Sequence, residues 1–145
     1  DIPLTLAQTI PITGILVVTT PQDVASNVAV KALGMFNKLN VPILGVVENM
    51  SSFVCPNCNE NHYIFGQGGA KKISEKYNIP FVGEIPLNSG IMEGSDKGKP
   101  VMITAPQSPS AEAFRKTAKN IAAQCSILAA RLQEEMKAEA TPSTN

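Results

Sequence analysis

The sequence has no excess of charge of either sign: 12 Lys and Arg residues offset 12 Asp and Glu. A nucleic-acid binder concentrates basic side chains to neutralise phosphates, so no nucleic-acid partner is expected. Cysteine is scarce, three in 145 residues, odd in number and with only two of them close together. That is not the disulfide framework of a small secreted domain, and it points to a reducing, cytoplasmic setting. No apolar run approaches the ~20 residues that span a bilayer. The N-terminus, starting at Asp1, has no basic stretch ahead of an apolar one, so no membrane partner is expected either. There is one histidine, no internal repeat and no low-complexity block. A phosphate-binding loop, GxxxxGK followed by Ser or Thr, is also missing.

What is present is an alternation of strand-like and helix-like segments. A chain of 145 residues is long enough for one domain that buries roughly 70% of its unfolded surface. Gly14-Ile-Leu-Val-Val-Thr19, Pro42-Ile-Leu-Gly-Val-Val47 and Pro80-Phe-Val-Gly-Glu-Ile85 are short β-branched runs, and Val101-Met-Ile-Thr104 is a weaker one. Continuous apolar runs suit strands covered on both faces of a parallel sheet.

Between the first two runs the spacing predicts a helix, with Thr20 as N-cap, Pro21 at the first helical position, and Asn40 with Pro42 closing it. Val24, Val28, Ala32, Met35 and Leu39 then fall on its inward face. A second helix is predicted over Gly69–Tyr77, with Ala70, Ile73 and Tyr77 inward. A long last helix is capped by Ser108, with Phe114, Ala118, Ile121, Cys125, Leu128, Leu132 and Met136 in one stripe. Cys125 reads as a small core residue of that stripe. From about Lys137 to Asn145 the pattern is lost, and this reads as a disordered tail. The order strand, helix, strand, loop, helix, strand, helix predicts a three-layer α/β fold with a mostly parallel sheet and flanking helices. Ligands of such sheets sit off the C-terminal ends of the strands.

Cys55-Pro-Asn-Cys58 follows the second strand. A CxxC on a loop brings two thiols to one metal or cluster but supplies half of a four-ligand set. Four readings are open. The thiols can be unliganded. They can be a dithiol redox pair, although such pairs usually open a helix directly after a strand. They can hold zinc with His62, four residues after Cys58, as a third ligand; the chain has no second CxxC and no second histidine to close the site. Or two chains can each give two thiolates to one bridging group. His62 by itself more commonly reads as a surface residue. Gly66-Gln67-Gly68-Gly69 reads as a turn feeding a helix. Asn49, at a strand end, can pair with an adenine edge or simply form a turn.

The succession Gly14-Ile-Leu-Val-Val-Thr-Thr-Pro-Gln-Asp23, Gly45-Val-Val-Glu-Asn-Met-Ser51, Cys55-Pro-Asn-Cys58, Phe65-Gly-Gln-Gly-Gly69, Gly83-Glu-Ile-Pro-Leu87 and Glu93-Gly-Ser-Asp-Lys-Gly-Lys-Pro100 resembles the Mrp/ApbC family. These are MinD-like P-loop ATPases that carry or assemble iron-sulfur clusters, and the resemblance runs from Asp1 to about Leu132. It implies a [4Fe-4S] cluster held through Cys55 and Cys58 between the two protomers of a homodimer and passed to apo iron-sulfur proteins. It also implies ATP, with Mg2+ in the full-length protein. Asn49 matches the asparagine near the adenine, and Pro86 with Leu87 matches the segment lining the other side of the base pocket. The Walker A loop and switch regions of the family have no counterpart here, and no catalytic residue is assigned. Residues 1–136 therefore resemble the C-terminal portion of a P-loop ATPase domain, with 137–145 as a tail. Loss of a P-loop strand from mid-sheet would uncover an apolar face and leave strand edges unpaired. Met92 stands where the family often has arginine. The readings from other classes are a zinc-clipped interaction module and a MinD- or ParA-like positioning ATPase without cluster chemistry. A dense basic face on the last helix would favour membrane positioning, and it is lacking.

Overall fold

A computed structural model describes residues 2–58 and 60–139. In chain order it comprises α1 (Ile2–Thr9), β1 (Ile15–Thr19), α2 (Asp23–Lys38), β2 (Ile43–Val54), β3 (Asn61–His62), α3 (Gly69–Tyr77), β4 (Phe81–Leu87), α4 (Ser89–Asp96), α5 (Val101–Thr104) and α6 (Pro109–Glu139). The central strand is β2. It runs parallel to β1 on one side and to β4 on the other. Its far end pairs antiparallel with β3, in the register Phe53↔His62 and Val54↔Asn61.

The three apolar runs form the three parallel strands because β2 is covered on both faces. Val46 and Val47, adjacent in sequence and pointing opposite ways, are both buried. Val46 packs with Val17, Ala29, Leu33, Ala70 and Ile73 under α2 and α3. Val47 packs with Val82 and Ile85, against Ala113 and Ile121 of α6. The crossovers β1-α2-β2 and β2-α3-β4 step the same way across the sheet, so a common handedness puts both helices on one face. The expected three-layer, mostly parallel α/β architecture is therefore present. Among the described residues no helix is long and apolar enough to cross a membrane.

The last helix is seated by two contacts that side-chain size decides. A Cβ on Gly83 of β4 would lie 2.0 Å from Thr117 Oγ1, so only glycine admits α6 this close. Asn120 Nδ2 donates to Val82 O at 2.9 Å, giving a carbonyl of β4 a partner. Ser108 caps α6 as predicted, its Oγ accepting from Ala111 N at 3.2 Å. Asn40 adopts the left-handed conformation, φ 55°, just past α2.

Several local expectations are corrected. Val101–Thr104 is helical, not a strand. Pro100 starts a turn there, and its carbonyl accepts from both Ile103 N and Thr104 N, so local bonds override the β-branched composition. The first crossover helix begins at Asp23 with Gln22 as N-cap, because Thr20 Oγ1 is turned to Gln22 Oε1 at 3.1 Å. Its buried stripe is Ala29, Leu33 and Phe36, whereas Val24 and Val28 are 78% and 64% exposed. The stripe beside the core lies over β1 and β2; the Val24 and Val28 stripe faces past β1, where no described strand continues the sheet. With Val18 also exposed, this is an uncovered apolar face of the kind anticipated. On α3, Ala70 and Ile73 are buried but Tyr77 is not.

On α6 the stripe holds only in its middle. Ile121 packs on the sheet, and Cys125 and Leu128 are half-buried. Phe114, Leu132 and Met136 are exposed, and Ser110, Ala111 and Thr117 are the buried residues. The helix is longer than the sheet it crosses, and the large apolar residues of its last turns are left exposed. It also continues to Glu139, so residues 137–139 of the expected tail are helical; the remainder of that tail lies outside the described residues.

Candidate metal centre and nucleotide edge

The central strand has 12 residues where its parallel neighbours have 5 and 7. It runs six residues past its last partner on β1, Thr19↔Glu48, but only one past its last partner on β4, Phe53↔Leu87, and turns back on itself through β3. The sequence places the cysteine pair on a loop after the second strand. It lies at the tip of this hairpin, directly after Val54. A dithiol pair of the redox kind opens a helix; here the chain returns as an antiparallel strand.

Local chemistry shapes the tip. Pro56 suits the second position of a β-turn, and a turn over residues 55–58 brings the first and fourth Cα atoms within about 7 Å. Cys55 N donates to Glu60 O at 3.0 Å, which carries the ladder one step beyond the Val54–Asn61 pair. The backbone N–H of Cys58, then that of Asn57, point at the Cys55 sulfur, and the Cys58 side chain adds a further bond; together they hold the Cys55 thiol below its ordinary pKa. Donors aimed at sulfur favour its thiolate, the form that binds metals. Cys58 is exposed, and its Sγ lies 3.9 Å from Glu60 Oε2.

His62 belongs with these thiols. The two sulfurs and an imidazole nitrogen of His62 all lie within 4.8 Å of one another. The spacing of four after Cys58 had made this feasible, and the hairpin register makes it so. Cys125 lies on α6 and is not one of this group.

Asn49, Pro86 and Leu87 lie on adjacent strands at the same edge of the sheet. Asn49 is opposite Ile85, the neighbour of Pro86, and Leu87 is opposite Phe53. Pro86 and Leu87 are the last residues of β4, and Asn88 caps α4 by accepting from Gly90 N at 2.8 Å. Asn49 is half-buried, and its Oδ1 accepts from Met50 N at 3.0 Å; Met50 has φ 56°. Asn49 is therefore neither at a strand end nor in a turn: it lies inside β2, and its amide oxygen is engaged where the register with β4 becomes irregular. A cleft of about 510 Å³ that Asn49 lines extends along β1 and α2 toward Val28 and Phe36.

One residue carrying much of this architecture had no role in the sequence reading. Glu48 is 1% exposed. Its carboxylate accepts from Gly68 N at 3.3 Å and Ala70 N at 2.8 Å. It therefore caps α3 from the middle of the sheet and fixes the glycine turn, in which Gly66 and Gly68 have φ 89° and 75°. An acid directly after Val46-Val47 in a doubly covered strand was the available signal, since a buried carboxylate needs donors.

Comparison with known proteins places the chain in a family. Residues 1–122 match the family described as "ParA: NUBPL iron-transfer P-loop NTPase". The iron-sulfur cluster transfer protein NUBPL of Dictyostelium discoideum is 48% identical over 128 residues, 88% of this chain and 40% of that protein. The iron-sulfur cluster carrier protein of Escherichia coli K12 is 50% identical over 124 residues, 86% of this chain and 34% of that protein. A solved nucleotide-binding protein from Archaeoglobus fulgidus, in complex with ADP, is 38% identical with a TM-score of 0.62, over 77% of this chain and 45% of that one. The chain thus spans some 34–40% of the length of these two curated relatives.

Proposed function

We propose that this chain, which belongs to the NUBPL iron-transfer P-loop NTPase family of ParA type, supplies the cluster-holding thiols and part of the adenine pocket of an iron-sulfur carrier ATPase. The cargo is an iron-sulfur cluster of the [4Fe-4S] type, held by Cys55 and Cys58 of two protomers and handed to apo iron-sulfur proteins. ATP and Mg2+ are bound by the whole protein, with Asn49, Pro86 and Leu87 of this chain beside the base.

The observation that carries the reading is the position of the thiols. They stand at the tip of the hairpin that follows the central strand, with Cys58 exposed and the Cys55 sulfur met by backbone donors. Two such tips can meet across a two-fold axis without any rearrangement of either core. Each gives two thiolates, and four satisfy the cluster. An exposed site also suits a cargo that must leave, since a recipient's thiols have to reach the same irons.

Nucleotide can influence that site only by binding one arrangement of the dimer better than another. The path available is short: Asn49 and Cys55 are six positions apart on one continuous segment, with the irregular register between Asn49 and Phe53 lying between them.

Anaerobic reconstitution with iron and sulfide tests the proposal. The wild-type chain is expected to become coloured, to bind iron and to dimerise, and the Cys55→Ala, Cys58→Ala variant to do none of these. A colourless wild-type monomer that retains zinc would overturn it.

A further inference from the structure

We propose that His62 is a third protein ligand of the hairpin tip, so that one chain alone binds one thiophilic divalent cation, of the Zn2+ class, through Cys55 Sγ, Cys58 Sγ and a His62 ring nitrogen. This goes beyond the bridged-cluster reading and does not rest on it.

The ladder register carries the argument. Pairs 53/62 and 54/61 are followed by the Cys55–Glu60 backbone bond. Side chains alternate between faces along a strand, so Cys55 shares a face with Phe53, and therefore with His62. They are diagonal neighbours across the hairpin, a spacing that long side chains bridge. The turn then carries Cys58 back over that face. The outcome is three donors of the types that zinc prefers, mutually within 4.8 Å. Bound tetrahedrally, with metal–ligand bonds of 2.0–2.3 Å, they would stand about 3.5–3.8 Å apart. Rotamer changes at the exposed Cys58 and His62 cover that difference.

The fourth position faces solvent, since Cys58 and His62 are both exposed. Three protein ligands and an open position is the arrangement of exchangeable zinc sites, in contrast to the closed four-ligand sets of structural ones. A cation held here commits both thiolates within one chain. The single cation and the bridging cluster are therefore alternative occupants, the first belonging to the monomer and the second to the dimer.

Titration of the purified chain with Co2+, a spectroscopic substitute for zinc, tests this. The expected result is one equivalent bound per monomer, with the intense visible bands of tetrahedral cobalt and thiolate-to-cobalt charge transfer. His62→Ala is expected to weaken binding by more than the roughly 10–100-fold that loss of an outer-shell partner costs, and His62→Cys to restore a tetrahedral spectrum. Because His62 is exposed, the metal-free variants should melt as the wild type does. Wild-type affinity and spectrum in His62→Ala would overturn the proposal, as would pale six-coordinate cobalt or one cobalt per two chains in the wild type. Iron-sulfide reconstitution of His62→Ala separates this from the cluster reading, which needs only Cys55 and Cys58.

Discussion

The Glu48 carboxylate in the middle of the central strand accepts the backbone N–H of Ala70, at 2.8 Å, from the first turn of α3. A second bond, from Gly68 N at 3.3 Å, fixes the glycine turn ahead of that helix. The strand that ends in the cysteine tip thus also anchors the segment by which the chain leaves the hairpin. Glu48→Ala removes the acceptor and leaves two N–H groups without it. We expect a loss of about 2–3 kcal/mol, the cost of orphaned buried donors and a lost charge-assisted bond. Urea denaturation measures it, and Glu48→Gln, which keeps one acceptor oxygen, should lose less.

Gly83 has no room for a side chain against Thr117. Gly83→Ala is expected to push α6 off β4 at a cost of about 1–3 kcal/mol. The double variant with Thr117→Ala should recover part of this, because the nearest atom to the new Cβ, Thr117 Oγ1, is removed. Equal stability of the single and double variants would show that this contact does not set the helix position.

The donors around the Cys55 sulfur stabilise its thiolate and so lower its pKa. Its thiolate fraction therefore rises at lower pH than that of an ordinary cysteine. Alkylation of Cys55 by iodoacetamide, followed against pH, is expected to level off at lower pH in the folded chain than in urea. The same inflection in both states would contradict the backbone contacts.

A side-chain amide reads an adenine edge through its donor and acceptor together. In the full-length protein, Asn49→Ala is expected to reduce the preference for ATP over GTP by about 1–3 kcal/mol of discrimination, measured by competitive binding. A loss of affinity that is equal for both nucleotides would assign Asn49 to shaping the strand irregularity at Met50 alone.

The chain itself contains no GxxxxGK-[ST] loop, and catalysis of phosphoryl transfer is mostly positioning by that loop and its metal. The purified 145-residue chain is expected to release no phosphate from ATP above background, and clear turnover would refute this.

The sequence by itself determined what depends on neighbours along the chain. The three β-branched runs became the three parallel strands, since a run of apolar residues has to be covered on both faces. Cys-Pro-Asn-Cys specified a turn with two converging thiols, and Ser108 and the glycines before α3 specified caps. Only the tertiary structure decided which partners met. The strip of α2 carrying Leu33 and Phe36 is buried, and the equally apolar strip carrying Val24 and Val28 is not, because β1 has no described strand beyond it. Val101–Thr104 became helical under the bonds to Pro100. Glu48 found its donors 20 and 22 residues away, and His62 joined the thiols through a ladder whose parity a one-residue slip would have reversed. Spacing fixes which side chains share a face within one element; the register between elements, set by the packing of the whole sheet, fixes which faces come together.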